Sequence, residues 1–350
     1  MTRKQTKGRM STTSSATTKH FCSRSADRAS AVLLAAILQC PTFLFSCQSC
    51  QDEPVSPALR TQIYIQSAEK TTSEGLDLFF FQDDSLGLLD SYQRLEGGIP
   101  DRIYGVSGNG DKILAAFSGY ATDRYAWSDV VSFAGLRERR FRLSDEDPER
   151  PFLCGSAHLS AGASRSAVLT LRPRLCAIRI RSLSCDFSGM PYEGLTLDSL
   201  TLFLTHVCDE CLPLATGEAG AVSWINAGAV DRKAVAALAH PEMVLQETGL
   251  SVGATRLPLG NTLYSYPNPA LEDSFGRPRT RLVLQGNIGT VTCWYPIPLS
   301  GLGEERMICL DITLTRMGSP DPDILTESGT VILETETVPW SDTEPSTVHF

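Results

Sequence analysis

Two cysteines in the middle of the chain have the spacing of a metal-binding or redox motif. Cys208 and Cys211 form the Cys-x-x-Cys stretch VCDEC. A structural zinc site needs four ligands, and only His206 lies nearby, with no second Cys-x-x-Cys in the chain. A thioredoxin-type dithiol lies between a strand and a helix, whereas this stretch follows the strand-like LTLFL and precedes Pro213. We therefore expect a loop disulfide or two unpaired thiols here.

The other residues able to do chemistry do not combine into a catalytic site. The five histidines are not paired at metal-ligand spacing, and no Gly-x-Ser-x-Gly, phosphate-binding or His-Glu-x-x-His motif is present. Gly105, Gly108 and Gly110 lie in GVSGNGD with no helix after them, so we interpret them as turn residues. The acidic stretch Ser144–Glu149 lacks the calcium-loop spacing and is interpreted as a solvated loop. We expect no enzyme activity, catalytic residue, metal or cofactor.

The amino terminus contains a different chemistry, a cysteine placed for acylation. Residues 31–45 form a mostly apolar run behind a basic stretch, which is the pattern of a signal peptide and is too short for a membrane-spanning helix. The run ends in LFSC, with an aliphatic residue three positions before the cysteine and a small residue directly before it, as in a bacterial lipobox. We expect residues 1–46 to be a lipoprotein signal peptide and Cys47 to be the site of lipid (palmitate) attachment.

This interpretation has alternatives. Cys40 follows a large polar residue and Cys50 lacks the aliphatic residue, so both fit the lipobox less well than Cys47. An ordinary secretory signal cut nearby is the other alternative. Several acyl chains on one cysteine anchor a protein firmly, and residues 47–60, which contain two prolines, then form a lipid-anchored tether.

Beyond residue 46 the chain is acidic. The first 46 residues hold seven of the 31 Lys and Arg and one of the 40 Asp and Glu, which leaves the remainder with a net charge of −15. An acidic body repels phosphate backbones, so we expect no nucleic-acid partner. Hydrophobic residues make up 42% and charged residues 20%, which is ordinary for a folded globular protein.

From Thr61 onward, apolar and polar residues alternate in short segments, which predicts β-strands. The nearly continuous apolar run Leu76–Phe81 predicts a buried strand. Further strands are predicted at Thr61–Ser67, Lys112–Phe117, Ala167–Leu171, 176–181, Leu200–Leu204, Thr280–Leu284, Val291–Ile297, Met307–Thr315 and Thr330–Thr337. Two short helices are expected, at Asp129–Leu136 and Asp231–Ala239. This pattern predicts an all-β fold of β-sandwiches, with Pro173 at the boundary between a domain of residues 61–172 and one of residues 173–350.

Several stretches, taken in order, resemble a known family. They are the lipobox LFSC with its acidic tether, LDLFFFQDDSLGLLDSY, PERPFLCGSAHLSAGASRSAVLTLRPRLCAIRIRSL, LYSYPNP, TRLVLQG with YPIPL, and CLDITLTRMGSPDPDI followed by VPW. The chain resembles the fimbrillin superfamily of Bacteroidetes, the type V pilus proteins, and within it the fimbrillin-A associated anchor proteins and minor fimbrial subunits.

The resemblance implies a fold and a role. The fold would be two tandem transthyretin-like β-sandwich domains. The role would be that of an exported outer-membrane lipoprotein on the cell surface, a structural part of a fimbria, or pilus, that supports cell adhesion. Its partners would be other fimbrial subunits, joined by donor-strand addition, in which a strand of one subunit fills the open edge and apolar groove of another.

Relatives of this kind become competent to polymerise when an arginine-specific protease removes the first strand, and Arg60 is the candidate cleavage site. Arg60 directly precedes the predicted strand Thr61–Ser67, so a cut there would release only residues 47–60, which have no strand-like alternation. We therefore expect the lipid to stay attached, as in a basal anchor or minor subunit. A second hypothesis is that Thr330–Thr337 is the strand exchanged between subunits.

Two other functional classes remain open from the residues alone. A surface glycan-binding lipoprotein would share the β-sandwich fold, but it needs an exposed aromatic platform, and the four tryptophans are not clustered in sequence. A lipid-anchored hydrolase would need a nucleophile and a base, and no such constellation is visible.

Overall fold

The computed structural model describes residues 59–67, 75–119, 127–162, 165–214, 223–303 and 306–339, all within one compact unit, Ser56–Phe350. The predicted signal peptide, Cys47 and most of the tether lie outside these residues. No helix among the described residues is long and apolar enough to cross a membrane.

The fold is almost entirely β, as predicted. The nineteen strands in the described residues are β1 (Leu59–Ser67), β2 (Gly75–Gln82), β3 (Leu89–Glu96), β4 (Arg102–Ser107), β5 (Lys112–Ser118), β6 (Phe141–Arg142), β7 (Leu153–Leu159), β8 (Ser166–Pro173), β9 (Cys176–Cys185), β10 (Leu197–Thr205), β11 (Val207–Cys208), β12 (Glu210–Cys211), β13 (Trp224–Ile225), β14 (Leu245–Glu247), β15 (Leu257–Ser265), β16 (Arg281–Ile288), β17 (Val291–Pro298), β18 (Arg306–Leu314) and β19 (Val331–Pro339). The two short α-helices are α1 (Phe133–Arg137) and α2 (Arg232–Ala236), and the side chain of Asp231 caps the second by accepting hydrogen bonds from the N–H groups of Lys233 and Ala234.

Three sheets carry most of these strands. A seven-stranded sheet has the order β3-β2-β5-β7-β8-β1-β4, and two four-stranded sheets have the orders β14-β10-β16-β17 and β15-β9-β18-β19. The large sheet takes its strands from residues up to Pro173, and the other two take theirs from Cys176 onward. Because a continuous buried core spans strands from both parts, the division into two domains at this point stays a prediction.

The strand β2 contributes side chains to two hydrophobic cores, one on each face of the seven-stranded sheet. Its sequence GLDLFFFQ is buried on both faces, as its continuous apolar character predicts. Leu78 and Phe80 point into a core whose buried residues all come from strands of the seven-stranded sheet. Phe79 and Phe81 point the other way, into a core that continues through the four-stranded sheets.

An aromatic cluster covers this second face of β2 and its neighbour β5. The Phe117 ring lies 5.2 Å from Trp127 and 5.6 Å from Phe152, centroid to centroid, and Phe152 stacks on Phe141 at 4.0 Å. Such pairs add about 0.5–1.5 kcal/mol each beyond the burial of their area. The segment between β5 and β7 is therefore packed onto the sheet.

Two sequence interpretations are wrong at this level. Gly105 is a buried residue of β4 and no turn residue, because the ring of Phe80 occupies the space where a Cβ would lie, with Cζ 2.2 Å from that position. The acidic stretch Ser144–Glu149 is only partly solvated, since Glu146 and Asp147 are buried. Glu146 accepts hydrogen bonds from the backbone N–H of Phe152 and from the hydroxyl of Tyr266, a partner far along the chain.

Candidate functional site: the first and last strands

The first strand, β1, is built into the interior of its sheet. It lies between β8, which runs parallel to it, and β4, which runs antiparallel. The alternation in TQIYIQS places Ile63 and Ile65 in the core, while Tyr64 faces outward. The sheet would therefore expose buried apolar surface if β1 left.

Arg60 lies inside β1, where the sequence interpretation placed it directly before the strand. It pairs with Val106 of β4, so the strand begins two residues earlier than the alternation indicated. A cut after Arg60 would remove only two residues of β1. Thr61, Ile63 and Ile65, which are all buried, would remain in the sheet.

The edges of this seven-stranded sheet, β3 and β4, are tied together at one end. Ser91 of β3 donates a 2.6 Å hydrogen bond to the carbonyl of Val106, and the N–H of Gly108 donates to Asp90 at 2.7 Å. The ammonium of Lys112 also contacts Asp90, at 3.1 Å. The two edge strands are therefore linked to each other at this end by side-chain contacts.

The last strand, β19, is placed very differently, at the edge of a four-stranded sheet. Among the described residues it pairs only with β18, in a continuous antiparallel register from Arg306 opposite Pro339 to Leu314 opposite Val331. No residue of β19 is fully buried, and Ile332 is 53% exposed. Val331, Leu333 and Val338 of β19 pack against the core but are only partly buried. We therefore expect β19 to open more readily than the strands whose side chains are fully buried.

Charged side chains hold β19 on the outer face of its sheet. Arg181 of β9 bonds to Glu336 of β19 and to Asp311 of β18, and Arg256 lies 3.5 Å from Glu334. The hydrogen bond with Glu336 raises the pKa of Arg181, and the hydrogen bond from Ser182 lowers the pKa of Asp311. Exposed ion pairs are weak and screened by salt, so these contacts hold the strand reversibly.

The Cys-x-x-Cys cysteines are buried or partly buried thiols, as are the other five described cysteines. Cys208 lies in β11 and Cys211 in β12, and the described residues directly after them, 212–214, are not helical. Burial raises the pKa of Cys208 to about 12, which keeps it a protonated and poorly nucleophilic thiol. Within the described residues, no group of three or more His, Cys, Asp and Glu side chains could hold a metal ion.

The histidines are also dispersed. His158 contacts Asp83 at 3.0 Å on the surface, and His240 contacts Glu242 at 2.8 Å. Burial lowers the pKa of His206, which lies in the left-handed region of backbone conformation at a φ of 52°. His20 and His349 lie outside the described residues.

Comparison with solved structures gives the fold a context. The chain is similar to a fimbrilin from Porphyromonas gingivalis W83, with a TM-score of 0.58, 9% identity, and coverage of 80% of this chain and 97% of that one. It is similar to a "putative cell adhesion protein" from Parabacteroides distasonis ATCC 8503, with a TM-score of 0.59, 12% identity, and coverage of 81% and 97%. A "putative cell adhesion protein" from Bacteroides eggerthii DSM 20697 gives a TM-score of 0.57 at 12% identity, with coverage of 81% and 97%. No protein-family model and no curated protein sequence matches the chain.

The chain has the fold of the Bacteroidetes fimbrillins. The resemblance noted from short stretches of sequence is thereby confirmed at the level of fold. Within this fimbrillin fold the two terminal strands differ in kind, because β1 is an interior strand with a buried face and β19 is an edge strand held by charges. The sequence predicted both strands, but their places in the sheets follow only from the tertiary pairing.

Proposed function

We propose that this protein is a structural, non-enzymatic subunit of a bacterial surface fimbria, as a lipid-anchored basal anchor or minor subunit. The fimbrillin fold supports a place in such a fibre. The observation that carries the assembly role is the contrast between β1 and β19. An edge strand with little buried surface is suited to exchange between subunits, whereas an interior strand is suited to stay.

In this proposal β19 is donated to the next subunit. The strand buries little apolar surface in its own sheet, and its ion pairs with Arg181 and Arg256 are replaceable by water. Its departure uncovers β18, whose Leu310, Ile312 and Leu314 line the core. A strand from a neighbouring subunit would then pair with β18 in place of β19.

Anchoring is the second half of the proposal. Cys47 carries the lipid, and Arg60 is a candidate cleavage site whose use would not dismantle the sheet, because the buried part of β1 follows it. A cut after Arg60 would release the lipid together with residues 47–60 but would not open the sheet to an added strand, because the buried residues of β1 would remain in place. In this proposal the cut is therefore not made, and the lipid stays on a subunit that remains at the outer membrane. This is the arrangement expected of a basal anchor, which joins a fibre to the cell without being released from the membrane.

A pull-down from outer membranes without reducing agent tests the proposal. Fimbrial subunits are expected to co-purify with the full chain, and with much lower yield when the chain is truncated after Gly329, which removes β19. Intact-mass measurement checks the anchor, since a Cys47→Ala variant is expected to lose the lipid and leave the membrane. A mature amino terminus at Thr61 without lipid would contradict the anchor, and undiminished co-purification of the truncated chain would contradict the exchange of β19.

A further inference from the structure

The outer face of the β8-β1-β4 part of the seven-stranded sheet is exposed and has an unusual composition. We call it the tyrosine face. The opposite face of these strands packs in a core of aliphatic residues such as Ile63, Ile103 and Leu169. Its outward side chains are Arg60, Gln62, Tyr64 and Gln66 from β1, Arg102, Tyr104 and Val106 from β4, and Ser166, Val168, Thr170 and Arg172 from β8.

Four large hydrophobic side chains on this face are open to solvent. Tyr104 is 57% exposed, Val168 53%, Val106 48% and Tyr64 38%. The register brings them together, because Tyr64 lies opposite Val168 on one side and Arg102 on the other, and Tyr104 lies opposite Gln62. Tyr64 and Tyr104 are therefore diagonal neighbours on adjacent strands, a spacing of about 7–8 Å.

The Tyr64 ring is held in place by its neighbours. The guanidinium carbon of Arg102 lies 5.2 Å from the ring centroid, and Gln62 donates a 2.9 Å hydrogen bond to the phenol oxygen. A cation over the ring and a donor on its hydroxyl both limit its rotation. The ring thus presents a fixed apolar surface beside a positive charge, with little conformational entropy left to lose on binding.

The charge of this face is opposite to that of the chain. The strands β1, β4 and β8 contain three exposed arginines, Arg60, Arg102 and Arg172, and no Asp or Glu within their described residues. The chain as a whole carries a net charge of −9. An anionic ligand is therefore attracted to this face and repelled by most of the remaining surface.

The shape and chemistry of the face favour a carbohydrate polymer as its occupant. The face is broad, since three neighbouring strands contribute side chains to it. Tyrosine rings stack against the C–H faces of sugar rings, and amides and hydroxyls such as those of Gln62, Gln66 and Thr170 bond to sugar hydroxyls. The planar guanidinium of arginine can donate two parallel hydrogen bonds to one carboxylate. Each sugar unit of a polyuronate carries such a carboxylate.

We propose that the tyrosine face binds a carboxylated polysaccharide of the polyuronate type, with Tyr64 and Tyr104 stacking on its sugars and Arg102 contacting its carboxylates. This site is separate from the strand β19 used in assembly. It rests on the proposed function only in that β1 stays in its sheet, because β1 supplies Tyr64 and Gln62. It would give a fibre subunit an adhesive surface of its own.

The test uses the purified, unassembled protein and polygalacturonate as the probe, with neutral dextran for comparison, in affinity electrophoresis. Polygalacturonate is expected to retard the protein at concentrations at which dextran does not, and added salt is expected to weaken the effect. The variants Tyr104→Ala and Arg102→Gln are each expected to weaken binding about tenfold or more, since the first removes a stacking ring and the second the cation that contacts the carboxylates. Thermal unfolding of each variant shows that the sheet is intact.

Matched substitutions elsewhere provide the controls. Phe275→Ala removes a fully exposed aromatic ring, and Arg232→Gln removes a charge from α2, outside the tyrosine face. Neither is expected to change binding. The proposal is overturned if polygalacturonate does not bind, if dextran binds equally well, or if the controls weaken binding as much as the face variants. Equal binding of poly-glutamate would overturn it in favour of an acidic protein partner. None of these results bears on co-purification with fibre subunits, which tests the proposed function separately.

Discussion

Tyr266 donates a 2.8 Å hydrogen bond to the carboxylate of Glu146, which is buried although it lies in an acidic stretch of the sequence. Glu146 precedes β7 of the seven-stranded sheet, and Tyr266 follows β15 of a four-stranded sheet. The pair therefore links segments that adjoin strands of different sheets. Burial raises the pKa of Glu146 to about 7, while the hydrogen bonds from Phe152 and Tyr266 act in the opposite direction.

This pKa predicts a dependence of stability on pH. In the unfolded chain Glu146 ionises near its ordinary pKa of 4.5, whereas in the folded protein it holds its proton up to about pH 7. The folded state therefore binds more protons between these values, and its contribution to the free energy of unfolding falls as pH rises through this window. The loss is about 3 kcal/mol at 1.36 kcal/mol per pKa unit.

The variant Glu146→Gln is expected to remove this fall, because the amide is neutral at every pH and keeps the shape of the protonated acid. Urea unfolding at pH 5 and pH 8 measures it for both proteins. The control is Glu149→Gln, which removes a negative charge from an exposed neighbour and is expected to leave the pH dependence in place. An equally steep fall in the Glu146→Gln variant would contradict the prediction.

Cys309 of β18 lies directly opposite Glu336 of β19. The variant Glu336→Cys would place two thiols face to face, where cross-strand Cβ atoms lie about 4.5–5.5 Å apart and are close to disulfide geometry. Oxidation is expected to form a disulfide that holds β19 on β18 of its own subunit, and the intact mass then falls by two hydrogen atoms. If β19 is exchanged, the oxidised protein should fail to enter the fibre until a reductant is added.

The matched control for this disulfide is Glu336→Ser, which removes the same charge and the same contact with Arg181 but cannot form a disulfide. It is expected to enter the fibre with or without reductant. Oxidised Glu336→Cys protein that joins the fibre as well as the serine variant would show that β19 stays in its own subunit during assembly.

Gly105 is expected to be intolerant of any side chain. A Cβ at this position would lie 2.2 Å from Cζ of Phe80, a ring with no exposed surface and no room to move. Overpacking of this kind typically costs about 1–3 kcal/mol, so Gly105→Ala should lower the unfolding temperature. Gly162→Ala, where no atom lies within 4 Å, should change it little. Adding Phe80→Leu to Gly105→Ala should recover part of the lost stability, because the smaller side chain makes room for the new methyl group. If the destabilisation of the double variant equals the sum of the two single effects, the two residues do not clash.

Cleavage after Arg60 is expected to leave the fold intact. The cut would free only Leu59 and Arg60 from β1, while Ile63 and Ile65 stay buried. Treatment with an arginine-specific protease, followed by thermal unfolding, should change the unfolding temperature by less than about 2 °C. The comparison is Ile63→Ala, which is expected to cost about 2–5 kcal/mol. A large drop after cleavage at this bond alone would mean that Arg60 belongs to the structural part of the strand.

Much of the local structure was predictable because it depends on near neighbours in sequence. The runs around Leu78, Ile180 and Leu310 form strands as predicted, and the cap at Asp231 and the inward face of Leu310, Ile312 and Leu314 follow from local pattern. The strands predicted at Thr280–Leu284 and Val291–Ile297 are also present as β16 and β17, and both are longer than predicted; Gly286 continues β16, and the two strands pair as a hairpin. Short elements such as β6 and β12 escaped prediction, since a two-residue strand has no periodicity and exists only through its partner.

The sequence by itself determined the all-β class, most of the long strands and the likeness to fimbrillins, because alternation and turn residues act over a few positions. The tertiary structure alone decided that Gly105 makes room for Phe80, that Glu146 is buried against Tyr266, and that Tyr64 and Tyr104 share an exposed face with Arg102. It also decided that β1 is interior and β19 an edge. Each of these depends on which distant segments pair, and a sheet's pairing is set by burial summed over the whole fold and by no single stretch of residues.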